Sequence, residues 1–309
     1  MPQFDVTIAG ELNLDLILYG LPEALPPERE LLAENMMLTL GSSSAIVAHN
    51  LAALGSRVGF VSYIGGDPLG SIALERLSAG GVHVEQVVRH PRAQTGLSVI
   101  LQHEGWRSIL TYPGTIFDLK PEHINTEYIS SSRHFHFSSF YLQRGLRSHV
   151  ANLFRQLKEH GLTISLDPND DPEDEWKSNL EEALQYVDIF LPNAREAKKI
   201  ADTESIDDAI SRLATMVPIV VVKLGAEGAL AQRGSDRFIS PALKVDVVDA
   251  VGAGDSFDAG FLHRFLRGGD LQSCLTEGNV AGALSTTRAG GTEAFRNQQY
   301  RDHFLQSHR

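Results

Sequence analysis

Hydrophobic and polar positions change their period repeatedly along this chain. Phe4 to Ala9 is a continuous apolar, partly β-branched run closed by Gly10, the pattern of a buried strand. From Glu11 to Leu18 polar and apolar residues alternate, so Glu11, Asn13 and Asp15 share one face and Leu12, Leu14 and Leu16 the other. Met36 to Leu40, Val58 to Ile64, Leu162 to Leu166, Asp188 to Leu191, Ile219 to Val222 and Ala229 to Gln232 read as further strands. Helix-compatible runs lie between them: Ala45 to Leu54 ended by Gly55, about Ser71 to Ala79, Leu146 to His160 closed by Gly161, and Asn179 to Tyr186. Later ones open at Pro192-Asn193, run from Ser256 to Leu266, and span Leu271 to Thr287 before Gly290-Gly291. Alternating strands and helices predict a largely parallel sheet covered on both faces, an α/β fold. Val84 to Arg89, Gly96 to Gln102 and Arg107 to Thr111 interrupt that alternation as short strands, with a hairpin-like break at His103-Glu104-Gly105-Trp106. Together with residues 12–19 and 35–40 they are expected to form a small separate sheet.

Bulk properties narrow the function more than the fold. The 309 residues suit one large α/β domain with an inserted piece as well as two domains. The formal net charge is −12, with 27 Lys and Arg against 39 Asp and Glu, which argues against nucleic acid or an anionic membrane as the main partner. Cys274 is the one cysteine, so an intrachain disulfide and a thiolate zinc cluster are excluded, and it reads as a packed small side chain. No stretch approaches a membrane span and the first residues lack a signal-peptide pattern, giving an expectation of cytoplasmic residence.

The chemistry concentrates at Asp249-Ala250-Val251-Gly252-Ala253-Gly254-Asp255-Ser256-Phe257. A short small-residue loop here delivers Gly252, Ala253 and Gly254 onto a helix start. Small residues let an anion approach the backbone, and the first free N–H groups and the macrodipole of a helix favour negative charge there. Asp255 beside such an anion hole has the chemistry of a general base; the plain alternative is a tight turn with a helix-capping aspartate. His134 and His136 alternate on one strand face, where a hydrogen-bonded face outweighs a two-histidine metal pair. Asn193 and Glu196 have capping-box spacing, and a carboxylate with an amide also suits a hydrated Mg²⁺. No Gly-Lys dipeptide occurs and no GxGxxG follows the first strand, which excludes a Walker loop and a dinucleotide fingerprint.

The nine residues from Asp249 resemble the second signature of the ribokinase-like (PfkB) carbohydrate kinases, Asp-Thr-Thr-Gly-Ala-Gly-Asp-x-Phe, with Ala250 and Val251 in place of the threonines. Gly41, Ala48, Leu51, Ala52, Leu54 and Gly55 resemble the first signature; Ser42 replaces its second glycine and Ile46 an asparagine that helps hold the substrate, so the acceptor or its pose is expected to differ. The resemblance implies a three-layer α/β/α fold with a mostly parallel central sheet. It implies a single kinase domain over 1–309 with a small β-sheet lid from roughly 11–40 and 84–114. By the same resemblance Asp255 deprotonates the acceptor hydroxyl and the backbone of Gly252, Ala253 and Gly254 receives the phosphoryl charge. Asn13, Asp15 and Gly41 then bind the sugar, and Asn193 and Glu196 organise Mg²⁺ through water. Gly225 and Gly228 form the nucleotide loop, where Lys223 either faces phosphate or is an ordinary solvated lysine. Asn279 borders the adenine, and Asp249 and Gly290 are candidates for a monovalent cation such as K⁺. The run Asp167-Pro168-Asn169 matches the start of Asp-x-Asn-x-Arg, but Asp170 and Asp171 follow with no arginine before Trp176, an acidity expected to disfavour an already phosphorylated acceptor. The function so implied is ATP-dependent phosphorylation of a hydroxymethyl group on a small sugar of the ribose, fructose or 2-keto-3-deoxygluconate type, in a homodimer joined through the lid. A nucleoside kinase, or a non-catalytic sugar or nucleotide sensor, are the alternatives.

Overall fold

The apolar runs become strands and the amphipathic runs become helices in the computed structural model, which describes residues 2–22, 26–103, 107–176 and 178–308. The strands are β1 (Phe4–Ala9), β2 (Leu14–Tyr19), β3 (Asn35–Leu40), β4 (Val58–Gly65), β5 (His83–His90), β6 (Leu97–Gln102), β7 (Arg107–Tyr112), β8 (Ser132–Ser138), β9 (Thr163–Asp167), β10 (Ile189–Phe190), β11 (Ile219–Lys223), β12 (Ala229–Arg233) and β13 (Asp236–Ser240). The helices are α1 (Ser43–Ala53), α2 (Pro68–Ala79), α3 (Thr126–Ser130), α4 (Arg144–Arg147), α5 (Val150–Glu159), α6 (Leu180–Leu184), α7 (Ala194–Ile200), α8 (Ile206–Leu213), α9 (Ala253–Phe265), α10 (Leu271–Thr286), α11 (Glu293–Arg296) and α12 (Gln298–Ser307).

A nine-stranded sheet runs β13-β12-β11-β10-β9-β8-β1-β4-β5. It is parallel from β11 to β5, and only β12 and β13 turn antiparallel at one edge. Successive side chains of a strand point to opposite faces, so the sheet splits the core in two. Val220 and Val222 pack with Phe135, Phe137 and α5 on one side, while Val221 packs with Phe60, Phe261 and α1 on the other. That is the three-layer α/β/α arrangement the sequence implied. The chain leaves β1 towards β4 and returns at β8 to build the sheet the other way. The carboxyl ends of β1 and β8 are therefore a topological switch point, where open α/β sheets form crevices.

A second, four-stranded sheet with order β3-β2-β6-β7 stands over that crevice. Register puts Thr39, Asp15, Ser98 and Thr111 in one row across it and Leu38, Leu16, Val99 and Leu110 in the next, on opposite faces. Ile17 and Ile100 pack on Val251, so the small sheet is seated on the loop before α9 by apolar contact.

The expectation that Val84 to Arg89 joins the small sheet is corrected: β5 is the edge of the large one, parallel to β4. After α2 the chain completes a strand–helix–strand crossover, which returns it beside β4. The predicted helix from Leu146 to His160 is two, with α4 ending before Ser148 and α5 starting at Val150. Of the predicted hairpin break, Glu104, Gly105 and Trp106 lie outside the described residues. Cys274 is buried, with its Sγ 3.6 Å from the Gly269 carbonyl, as a packed side chain should be.

Candidate active site

Two cavities open at the carboxyl edge of the large sheet. One of about 570 Å³, under the small sheet, is lined by Glu11, Asn13, Asp15, Ser43, Ile46 and Asp255 among others. The other, of about 1010 Å³, is lined by Asn193, Glu196, Lys223, Gly225, Gly228 and Asn279, and by the start of α9. Their sizes suit a small ligand beside a larger one. Arg107, Asn169, Gly252 and Asp255 line both, so the cavities meet there.

The meeting point is a helix N-terminus made accessible by its own sequence. Gly252 is the α9 N-cap, with φ +71°, a left-handed conformation that L side chains rarely adopt, and a Cβ there would come within 2.6 Å of the Gly291 Cα. Among the described residues no side chain caps α9. The Ala253 N–H makes a long turn bond to the Ala250 carbonyl, at 3.3 Å. Among the described residues the Gly254 and Asp255 amides have no acceptor. Asp255, in the same turn, accepts a 2.5 Å hydrogen bond from the Ser43 hydroxyl at the start of α1. Burial, and then the Asp167 charge, push its carboxyl up to about 6. A half-buried aspartate poised near neutrality beside unsatisfied amides can take a proton while the amides take up negative charge.

The small cavity is floored by carboxyls. Asp15 is pushed up to about 7 by burial and then by the charge of Asp255. Its Oδ1 would stand 2.1 Å from a Cβ at position 41, which is why Gly41 is needed there. Asn13 lies at the same spot, its amide donating to the Leu14 carbonyl at 3.3 Å. Glu11, which alternation placed on the same face, instead ties three segments together: it accepts from Ser44 Oγ at 2.9 Å, from Ser139 Oγ at 2.8 Å and from the Gln143 amide. Burial raises it. The departures in the first signature have local consequences. Ser42 carries φ +70°, a glycine-like backbone on a serine, and its hydroxyl compensates by accepting from the Ala45 N–H and donating to the Glu11 carbonyl. Ile46 packs against Gly252 and Gly291, presenting methyl groups where the family has an amide.

In the large cavity the reading of Lys223 as a solvated lysine is corrected. Its Nζ is 2.8 Å from Asp167 and 3.2 Å from Asp258, with only 11 % of the side chain exposed. Burial alone would pull the lysine down, but the two carboxylates hold it well above its usual range. Burial drives Asp258 upward, whereas Lys223 keeps Asp167 low, so the proton of the cluster resides on Asp258. Asn193 and Glu196 form the capping box: the Asn193 N–H donates to Glu196 Oε2 at 2.8 Å and the Glu196 N–H to Asn193 Oδ1 at 3.0 Å. Burial and then the Asp167 charge push Glu196 up to about 8, against the opposing pull of Lys223. The Asn279 amide holds the end of β13, donating to the Ser240 carbonyl at 2.9 Å and the Pro241 carbonyl at 3.1 Å. Gly225 and Gly228 shape the turn after β11.

Asp249 and Gly290 are brought together, with the Gly290 N–H donating to the Asp249 carboxylate at 3.0 Å. The Val251 N–H and the Tyr19 hydroxyl donate to the same side chain. His134 and His136 are buried among Thr163, Ser165 and Ser138 hydroxyls, all within 2.7 to 2.8 Å. Burial pulls them down to about 3 and about 4, a hydrogen-bonded strand face. In the loop after β9, Asp170 pairs with Arg195, and Asp171 accepts from the Glu173, Glu175 and Trp176 N–H groups. Arg144, on the wall of the small cavity, is itself paired with Glu173 at 2.7 Å.

Sequence reading missed Ser43, Arg107 and Asp258. Only Asp258 left a trace, as an acid inside the otherwise apolar Phe257 to Leu262 run.

Known proteins match this chain over nearly its whole length. The profile of the pfkB family carbohydrate kinases matches residues 3–298. The chain is 32% identical over 298 residues to an ATP-dependent ribose-1-phosphate kinase of Halopiger xanaduensis, covering 94% of each chain. It is 31% identical over 285 residues to a nucleoside kinase of Methanothermobacter thermautotrophicus, covering 91% of this chain and 88% of the relative. A crystal structure titled as a ribokinase II of E. coli, in complex with ATP and Mg²⁺, superposes with a TM-score of 0.84 at 25% identity, covering 99% of this chain and 100% of that one.

Proposed function

This chain belongs to the pfkB family of carbohydrate kinases, and from that premise we propose that it transfers the γ-phosphate of ATP to a hydroxymethyl group of a small sugar. One observation carries the reading: the two cavities meet at Asp255 and Gly252, where a near-neutral carboxyl and unbonded amides face the same space. The acceptor lies under the small sheet, held by Asn13 and Asp15. The nucleotide lies along the turn of Gly225 and Gly228, with Asn279 keeping the wall beside it in place. The acceptor hydroxyl loses its proton to Asp255 as its oxygen bonds to the γ-phosphorus. The bond from that phosphorus to the bridging oxygen breaks, and ADP leaves with the electron pair. The α9 amides receive the phosphoryl charge, and positioning with electrostatics supplies most of the rate.

Glu196 fits the Mg²⁺ that such kinases use, because it is a buried carboxyl, pushed up by burial and by Asp167, that borders the nucleotide cavity; Asn193 orients it. Bound there, the ion would neutralise phosphate charge. Asp249, which accepts from the Val251 and Gly290 N–H groups, and Gly290 are the residues the reading assigns to a monovalent cation such as K⁺. Such an enzyme works where ATP is, in the cytoplasm. For the outer face of the small sheet we propose a second copy as partner, since Leu110, Tyr112 and Met36 are 60%, 53% and 58% exposed there. Sedimentation of the wild type and of Leu110→Glu tests that pairing: a wild type that is monomeric at micromolar concentration overturns it.

The deciding experiment is an ADP-release screen over pentoses, hexoses, keto-acid sugars, sugar phosphates and nucleosides. Release with a sugar or sugar phosphate is expected. Release with nucleosides alone would move the assignment to a nucleoside kinase, the reading that the Methanothermobacter relative favours. No release with any acceptor would leave a sensor.

A further inference from the structure

The tip of α9 has to be bare and rigid at once. Its amides are left free for negative charge, because Gly252 has no side chain and among the described residues none caps the helix. A side-chain cap would steady the turn, but it would also occupy the donors that an anion needs. The support comes from behind. Ser43, Ile46 and Asn50 stand at positions i, i+3 and i+7 of α1, on one stripe of that helix. Ser43 donates to Asp255. Ile46 packs on Gly252 and Gly291. Asn50, fully buried, donates from its amide nitrogen to Ser256 Oγ at 2.9 Å and to the Gly291 carbonyl at 3.0 Å.

The protons of this network have one consistent arrangement. A carbonyl only accepts, so Gly291 fixes which end of the Asn50 amide faces it. The other end, Oδ1, accepts from His49 Nδ1 at 2.9 Å; burial pulls His49 down to about 4, so near pH 7 it is a neutral ring with its proton on Nδ1. Ser256 receives from Asn50 and sends its own proton to the Gly252 carbonyl at 2.7 Å. Asn50 and Ser256 are fully buried and line neither cavity, so they touch neither substrate.

Resting on the phosphoryl-transfer reading, we propose that Asn50 is a positioning residue: it locks the first turn of α9 to the Gly290–Gly291 loop, so that the Gly254 and Asp255 amides stay aimed at the transferred phosphoryl group. Preorganised donors contribute through their placement, and a buried, fully satisfied network holds that placement without filling the anion's space.

The test compares wild type, Asn50→Leu, Ser256→Ala and the double variant. Calorimetric titration with Mg²⁺ and ADP counts nucleotide sites, and kcat is expressed per site, so unfolded protein does not enter. Asn50→Leu keeps the side chain's size and removes its donors. It should lower kcat by about 10²-fold, the cost of groups misplaced by about 1 Å, with acceptor KM and ADP affinity within about threefold of wild type. Ser256→Ala keeps the Gly291 arm and should lower kcat by about three- to tenfold, and the double variant should be no worse than Asn50→Leu alone, since both act through one contact. A wild-type kcat per site, a parallel weakening of acceptor and ADP, or losses that multiply in the double variant would overturn the proposal. Should Asn50→Leu not fold, Ser256→Ala decides: a kcat equal to wild type overturns it. A second measurement needs no acceptor. Aluminium fluoride, which mimics the phosphoryl group in transfer, should tighten ADP at least about tenfold in wild type and much less in either Asn50→Leu or Ser256→Ala. Tightening that is equal in wild type and variants, or absent from all, also overturns it. If the wild type releases no ADP yet this difference holds, the kinase reading fails and Asn50 still sets the anion hole.

Discussion

The two cavities are built from different materials. The larger is made mostly of backbone: the turn of Gly225 and Gly228, the uncapped tip of α9, and a wall held by Asn279. Its cation is matched internally, Lys223 with Asp167 and Asp258, while Glu196 on the same wall is pushed up to about 8. The smaller is made of side chains whose charges are left unmatched, so Asp15 and Asp255 titrate at about 7 and about 6. A backbone surface tolerates changes of side chain, and the family signatures survive best there. A side-chain surface changes its ligand when a residue changes, and Ser42 and Ile46 depart from the family on that side. Shape on one side and tuned acidity on the other is the arrangement expected of a conserved donor and a variable acceptor.

The sharpest way to break this contrast is at Asp255. Asp255→Asn should lower turnover by at least ~10²-fold while the protein still folds, since a general base typically contributes 10²–10⁴. The same change should raise stability. The folded carboxyl titrates at about 6 against an ordinary 3.8, so the folded state holds its proton longer than the unfolded chain. Charging the group therefore destabilises the fold as pH rises through that window. The stabilisation by Asn should nearly vanish near pH 4 and approach about 3 kcal/mol above about pH 7, read by urea titration at both pH values. A wild-type rate, or a stability gain at pH 4 alone, refutes the assignment.

On the matched side the expected effect is structural. Lys223→Met leaves Asp167 and Asp258 without their cation and should cost about 3 kcal/mol in chemical denaturation, because one partner of a buried pair is removed. Adding Asp167→Asn should recover part of that loss, since Asp167 carries the charge of the pair. If Lys223→Met is as stable as wild type, the buried cluster is not what holds β9, β11 and α9 together.

Smaller effects test the start of α1. Ser43→Ala removes a donor that lowers Asp255. The acid limb of kcat/KM, expected near pH 6, should therefore move to higher pH, with little change on the alkaline plateau. An unmoved limb would mean that Ser43 does not hold the base. Ser42→Gly relieves a positive φ on a non-glycine residue and loses a cap that glycine replaces at a cost of only a few tenths of a kcal/mol. The net expectation is a gain of about 1 kcal/mol in denaturation experiments; a loss would show that the Ser42 hydroxyl outweighs the strain.

Local pattern alone determined most of the strands and the larger helices, the uncapped glycine turn before α9, and the capping box of Asn193 and Glu196. Each depends on residues within a few positions of one another, where periodicity and turn chemistry act. Tertiary structure decided the rest: that β5 joins the large sheet, that Lys223 is paired rather than solvated, that Asp170 pairs with Arg195, that Ser43 holds Asp255, and that Arg107 stands where the cavities meet. Those partners lie tens to hundreds of residues apart, 212 positions in the case of Ser43 and Asp255. No repeat along the chain encodes such a pairing. It exists only once the sheet order has brought the ends of distant strands to one edge.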